Sequence, residues 1–82
     1  MNTRQEIYEK LVEILVEEFE LEKESLTLEA NLYTDLDLDS IDTVDLVINL
    51  QEMIDRKIDP EIFKSVRTVD DVITAVEDLI KE

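Results

Sequence analysis

The chain has 82 residues, of which 23 are Asp or Glu and eight are Lys or Arg, for a net charge of −15. Hydrophobic residues make up 44%, enough for one thin core, so residues 1–82 are expected to form a single domain with no room for a second. Neither cysteine nor histidine occurs, which removes disulfides, thiolate nucleophiles, thiolate-held metals and the commonest general base. The acidity disfavours nucleic acid and anionic lipid and favours basic partners. No apolar run approaches the roughly 20 residues that span a bilayer, and a cytoplasmic chain that is monomeric is the expectation.

Thr3-Arg4-Gln5-Glu6 has the S/T-x-x-E form of a capping box, which opens a helix by satisfying amides that its first turn leaves unpaired. Ile7, Leu11, Ile14 and Leu15, with Tyr8, Val12 and Phe19, recur at three- and four-residue steps and carry that helix to about Phe19. From residue 20 to 39 the periodicity fades. Leu21, Leu26, Leu28, Leu32 and Leu36 are expected to pin a long loop to the core, with room for a short helical turn inside it.

Asp39 or Ser40 can cap a second helix that runs through Ile54. At about 100° per residue, Leu46, Val47, Leu50, Met53 and Ile54 cluster on one side as its inward set. Ile41, Val44 and Ile48 fall on the opposite side beside Asp45, Glu52 and Asp55, an apolar stripe with an acidic rim that no single core can also cover. Asp59-Pro60-Glu61 then predicts a short helix through Phe63 or Lys64. Thr68-Val69-Asp70-Asp71 caps a last helix whose stripe is Val69, Val72, Ile73, Val76, Leu79 and Ile80. The expected fold is all-α, a small four-helix bundle of three long helices and one short, with the long loop between the first and second.

Asp35, Asp37 and Asp39 alternate like the start of a calcium loop. Its sixth position is Ser40 where a sharp turn wants Gly, and its twelfth is Leu46 where a bidentate Glu should close the shell, so no metal site is expected. Asp39-Ser40 by itself is an ordinary helix cap. At a helix start, backbone N–H groups and the positive end of the dipole would also favour a phosphate attached to Ser40.

The segment Asp39-Ser40-Ile41-Asp42-Thr43-Val44-Asp45-Leu46-Val47 resembles the D-S-L-D-x-V-E-L-V signature of acyl carrier proteins. Ile58-Asp59-Pro60 is similar to the family's I-P-x-E opening of its third helix, and Val66-Arg67-Thr68-Val69 to the opening of its fourth, so the likeness covers nearly the whole chain. The resemblance implies that Ser40 is esterified through a phosphodiester to 4′-phosphopantetheine, taken from coenzyme A by a separate magnesium-dependent phosphopantetheinyl transferase. It implies a carrier and not an enzyme, with no catalytic residue, whose reactive thiol belongs to the prosthetic group. Acyl intermediates of fatty-acid, specialised lipid or polyketide biosynthesis would ride on that thiol as thioesters. The expected partners are the transferase and acyl-ligating and acyl-processing enzymes with basic docking patches, which would meet Asp39, Ile41, Val44, Asp45, Ile48 and Glu52. A D-alanyl or peptidyl carrier shares the fold and the serine, but Asp42 and the acidic helix favour acyl. An acidic helical interaction module without a prosthetic group is the reading from a different class. One departure stands out: the family usually has L-G-x-D-S where this chain has Leu36-Asp37-Leu38-Asp39-Ser40, so Asp37 replaces the glycine, narrows the loop's backbone freedom and adds a charge beside Ser40. That departure leaves a specialised pathway open.

Overall fold

The local signals at Thr3, Asp39 and Thr68 each start a helix in the computed structural model, which describes residues 3–81 with the side chain of Pro60 excepted. Thr3 Oγ1 accepts the Glu6 N–H at 3.2 Å and opens α1, Arg4–Phe19. Helix α2 spans Ser40–Ile54 and helix α3 Val69–Lys81. Helix α1 packs on both of the others. Its Leu11 and Leu15 meet Leu46 and Leu50 of α2 and Val72 and Val76 of α3 in one core, all but inaccessible to solvent. Full burial of such a side chain contributes about 1.5–3 kcal/mol, so these six residues stabilise the packing of the three helices. Arg4 adds a polar clasp from α1 to α3, donating to Glu77 Oε1 at 3.0 Å, to Thr74 Oγ1 at 3.1 Å and to Asp70.

The expected fourth helix takes a different form. Asp59 Oδ1 accepts the Glu61 N–H at 2.9 Å, as a capping residue should, but the chain then forms a five-residue 3₁₀-helix, Pro60–Lys64. A segment this short has little room for i→i+4 bonds, and the tighter i→i+3 winding brings Phe63 and Val66 into the core. The architecture is therefore three α-helices and a 3₁₀ connection, with no strand among the described residues.

Residues 20–39 are held from inside and from outside. A 3₁₀ turn, Lys23–Ser25, lies within them, and Leu26, Ala30, Leu32, Leu36 and Leu38 are buried. Leu28, expected to be an anchor, is instead 43% exposed, because its backbone faces the start of α3: its carbonyl accepts the Asp70 N–H at 3.0 Å. Ala30 O likewise accepts the Val69 N–H at 3.1 Å, and the Leu32 N–H donates to Arg67 O at 2.8 Å. Two of the amides that α3 would leave unpaired are thus satisfied by the connection. Tyr8 OH fixes the same segment to α1 by donating to Leu26 O at 2.6 Å.

Candidate functional site

Asp39, in an extended conformation, is the N-cap of α2. Its Oδ1 accepts the Ile41 N–H at 3.0 Å and the Asp42 N–H at 2.9 Å, and Asp42 Oδ2 accepts the Asp39 N–H at 3.1 Å. The result is a reciprocal capping box made of two acids. Of the two candidate caps, Asp39 therefore takes the structural role. Ser40 is the first residue of α2 and is exposed. Its carbonyl accepts the Thr43 hydroxyl at 2.9 Å, while its own Oγ makes no hydrogen bond among the described residues.

This geometry modifies the electrostatic expectation. The first-turn amides of Ile41 and Asp42, which would cradle an anion on Ser40, are already occupied by the Asp39 carboxylate. A phosphodiester at Ser40 Oγ would stand in water beside Asp39 and Asp42, tethered but not held.

Along α2 the two faces separate as the helical spacing predicts. Leu46, Val47 and Leu50 are buried and Met53 and Ile54 pack at the core's margin. On the outer side Ile41 is 71%, Val44 51% and Ile48 48% exposed. With Leu28, they are the exposed large hydrophobic residues among those described, so three of the four form one stripe. Asp45 and Glu52 flank it, both exposed. The loop of residues 20–39 does not cover it.

The sequence reading missed the α1 side of this face. Glu18 and Phe19 of α1 line a hollow with Asp45, Ile48 and Asn49 of α2. The signal, Glu13 and Glu17 one turn apart beside Ile14, is visible in the sequence, but its alignment with α2 depends on tertiary packing.

Asp37 has φ = 58°, in the left-handed region that favours glycine. The bend returns the chain so that the Leu38 N–H donates to Leu32 O at 2.9 Å, two residues before Ser40. Asp37 thus adopts the backbone that a glycine would adopt most readily there.

Residues 9–76 match the sequence profile of the phosphopantetheine attachment site family. "Acyl carrier protein 2" of Ralstonia nicotianae is 55% identical over 78 residues, covering 95% of this chain and 96% of that one. The acyl carrier protein of Coprothermobacter proteolyticus is 34% identical over 90% of each chain. The fold matches a solved acyl carrier protein from Enterococcus faecalis, described for its high thermal stability, with a TM-score of 0.75, 26% identity and coverage of 93% of this chain and 96% of that one. The family profile and these relatives point to a covalently attached 4′-phosphopantetheine. The chain belongs to the acyl carrier protein family, whose members are carriers and not enzymes.

Proposed function

We propose that Ser40 bears the phosphopantetheine arm and that the chain carries acyl intermediates of fatty-acid, specialised lipid or polyketide biosynthesis on it, in the cytoplasm. The observation that carries this reading is Ser40 itself, exposed at the start of α2, with a hydroxyl that makes no hydrogen bond among the described residues while Asp39 does the capping. In the transfer, Ser40 Oγ loses its proton to the transferase and forms the new P–O bond, while the P–O–P link of coenzyme A breaks and the adenosine bisphosphate departs. The arm supplies a thiol for thioester formation, which a chain without cysteine lacks. Because the Ile41 and Asp42 amides are engaged by Asp39, they would not clamp a phosphodiester on Ser40, and the arm would be free to swing toward successive enzymes.

The exposed stripe of Ile41, Val44 and Ile48, rimmed by Asp39, Asp45 and Glu52, is read as the docking face for those enzymes. Acids around a small apolar patch steer a basic partner and let apolar contact hold it. Ser40→Ala tests the attachment. Its Tm should match wild type to within about 0.5 kcal/mol of stability, since no bond of the hydroxyl is lost. Incubated with coenzyme A, magnesium and a phosphopantetheinyl transferase, wild type should gain one phosphopantetheinyl mass and the variant none. Equal mass gain by both proteins would exclude Ser40 as the site.

A further inference from the structure

The outer face of α2 continues onto α1 as a groove. Near Ser40 it is walled by Glu18 and Phe19 against Asp45 and Ile48, in a hollow of about 290 Å³. Farther along, Ile14 and Met53 form the floor between Glu13 and Glu17 on one bank and Glu52 on the other, in a hollow of about 280 Å³. The two hollows share Glu18 and Asn49, so they form one channel between antiparallel helices, spanning residues 10–19 of α1, about 14 Å at 1.5 Å per residue. Lys10 sits at the far end and pairs with Glu13 at 3.8 Å. Glu17, Glu18, Asp45 and Glu52 have no cationic partner among the described residues.

We infer that this α1–α2 groove seats a basic amphipathic α-helix of a partner protein. The inference rests on reading the outer face of α2 as the docking face, and it adds α1 as the second wall. Charge selects the occupant. A second copy of a chain with net charge −15 would bring further acids to four that already lack partners, and an anionic lipid or nucleic acid is repelled in the same way. A helix with aliphatic residues at i, i+3, i+4 and i+7 would fit the apolar floor, and flanking Lys or Arg would meet both banks. Asp45 lies five residues after Ser40, about 7.5 Å along the helix axis, so a helix seated in the groove ends near the serine and brings its own protein to the arm.

The test uses the 15N-labelled, phosphopantetheine-bearing protein and a blocked 14-residue Leu/Lys peptide whose leucines share one helical face. Titration should shift amides of residues 13–18 together with 45–53. Glu17→Lys/Glu18→Lys should weaken binding at least about fivefold more than Glu24→Lys/Asp78→Lys, which changes the net charge equally but lies off the groove. A peptide of the same composition with its leucines scattered should bind more weakly than the amphipathic one. Shifts confined to α2, or equal weakening by the two double variants, would overturn the groove. The docking face on α2 is judged separately, by whether Val44→Lys, on the exposed stripe but outside both hollows, slows the phosphopantetheinyl transferase more at low salt than at high, so the two readings can fail independently.

Discussion

A chain without glycine must build its left-handed turns from other residues, and here it uses acids: Glu20 at φ = 56°, Asp37 at 58° and Asp55 at 54°. Left-handed backbone costs an L-residue roughly 1–2 kcal/mol, less for Asp, whose short side chain tolerates it. Glu20 and Asp55 also place negative charge at the C-terminal ends of α1 and α2, where the dipole is unfavourable to it and no basic residue sits in the last turn. Asp37 is the informative position because it stands three residues before Ser40. Its φ shows that losing the glycine changes the cost of the bend and not its path, since the bend is made with Asp. Asp37→Gly is therefore expected to raise stability by about 0.5–1 kcal/mol, seen as a higher urea midpoint with unchanged slope. A midpoint that stays or falls would mean that the Asp37 carboxylate makes a stabilising interaction the backbone geometry does not show.

At the scale of elements, the capping residues explain how much could be read from sequence. Thr3, Asp39 and Thr68 act within three residues of themselves, so the starts of all three helices were legible, and the ends at Phe19 and Ile54 followed from apolar periodicity. At residues 60–64 the Asp59 cap and the bounds were legible but the winding was not, because five residues cannot distinguish a 3₁₀ winding from an α turn by pattern. The connection at residues 20–39 was opaque for another reason: its anchors, such as Leu32 to Arg67 and Leu28 to Asp70, are backbone bonds to distant residues that leave no periodic trace. In the candidate site, the α2 stripe was legible as a second apolar face, whereas its α1 bank required knowing how the helices lie together. The cap of α3 also carries a pH dependence. Asp71 Oδ2 accepts the N–H of Arg67 at 3.0 Å and of Thr68 at 3.2 Å, and these bonds, that from Arg67 foremost, hold its pKa below the ordinary 3.8. A depressed folded-state pKa means that the stabilisation is present above the unfolded value and is lost as pH falls through the folded one. Asp71→Asn should thus cost up to about 1 kcal/mol near neutral pH, the effect being limited by solvent screening. At a second, acid pH below the ordinary 3.8 the gap to wild type should have narrowed. Paired urea titrations at the two pH values check this, and a gap of the same size at both would show that the carboxylate charge is not what matters.

For the whole molecule, the dominant long-range term is self-repulsion. The described residues extend over 30 × 24 × 20 Å, and at 0.01 M salt the Debye length is about 30 Å, so acids on one side are felt on the other. At about 0.15 M it falls to roughly 8 Å, leaving only near neighbours, and at 1 M to about 3 Å. The near neighbours that remain are concentrated at the candidate site: Asp35, Asp37, Asp39, Asp42 and Asp45 occur within eleven residues with no basic residue among them. The ion pairs that could offset this, Arg4 with Asp70 and Glu77, Lys10 with Glu13, Lys64 with Glu61 and Lys81 with Glu77, all lie outside that stretch. Folding gathers charges that the unfolded chain can spread apart, so screening should favour the folded state. The Tm is expected to rise steeply between 0.01 and about 0.15 M sodium chloride and more gently beyond, by several degrees in all, since about 1 kcal/mol shifts a domain of this size by roughly 4–8 °C. Magnesium chloride should produce the same rise at lower ionic strength, because a divalent ion concentrates near a dense run of carboxylates. Asp37→Asn/Asp45→Asn should flatten the curve by raising its low-salt end. A Tm independent of salt from 0.01 to 1 M would show that the charge is already spread widely enough for solvent to screen it, and that the acids near Ser40 are present at no cost to the fold.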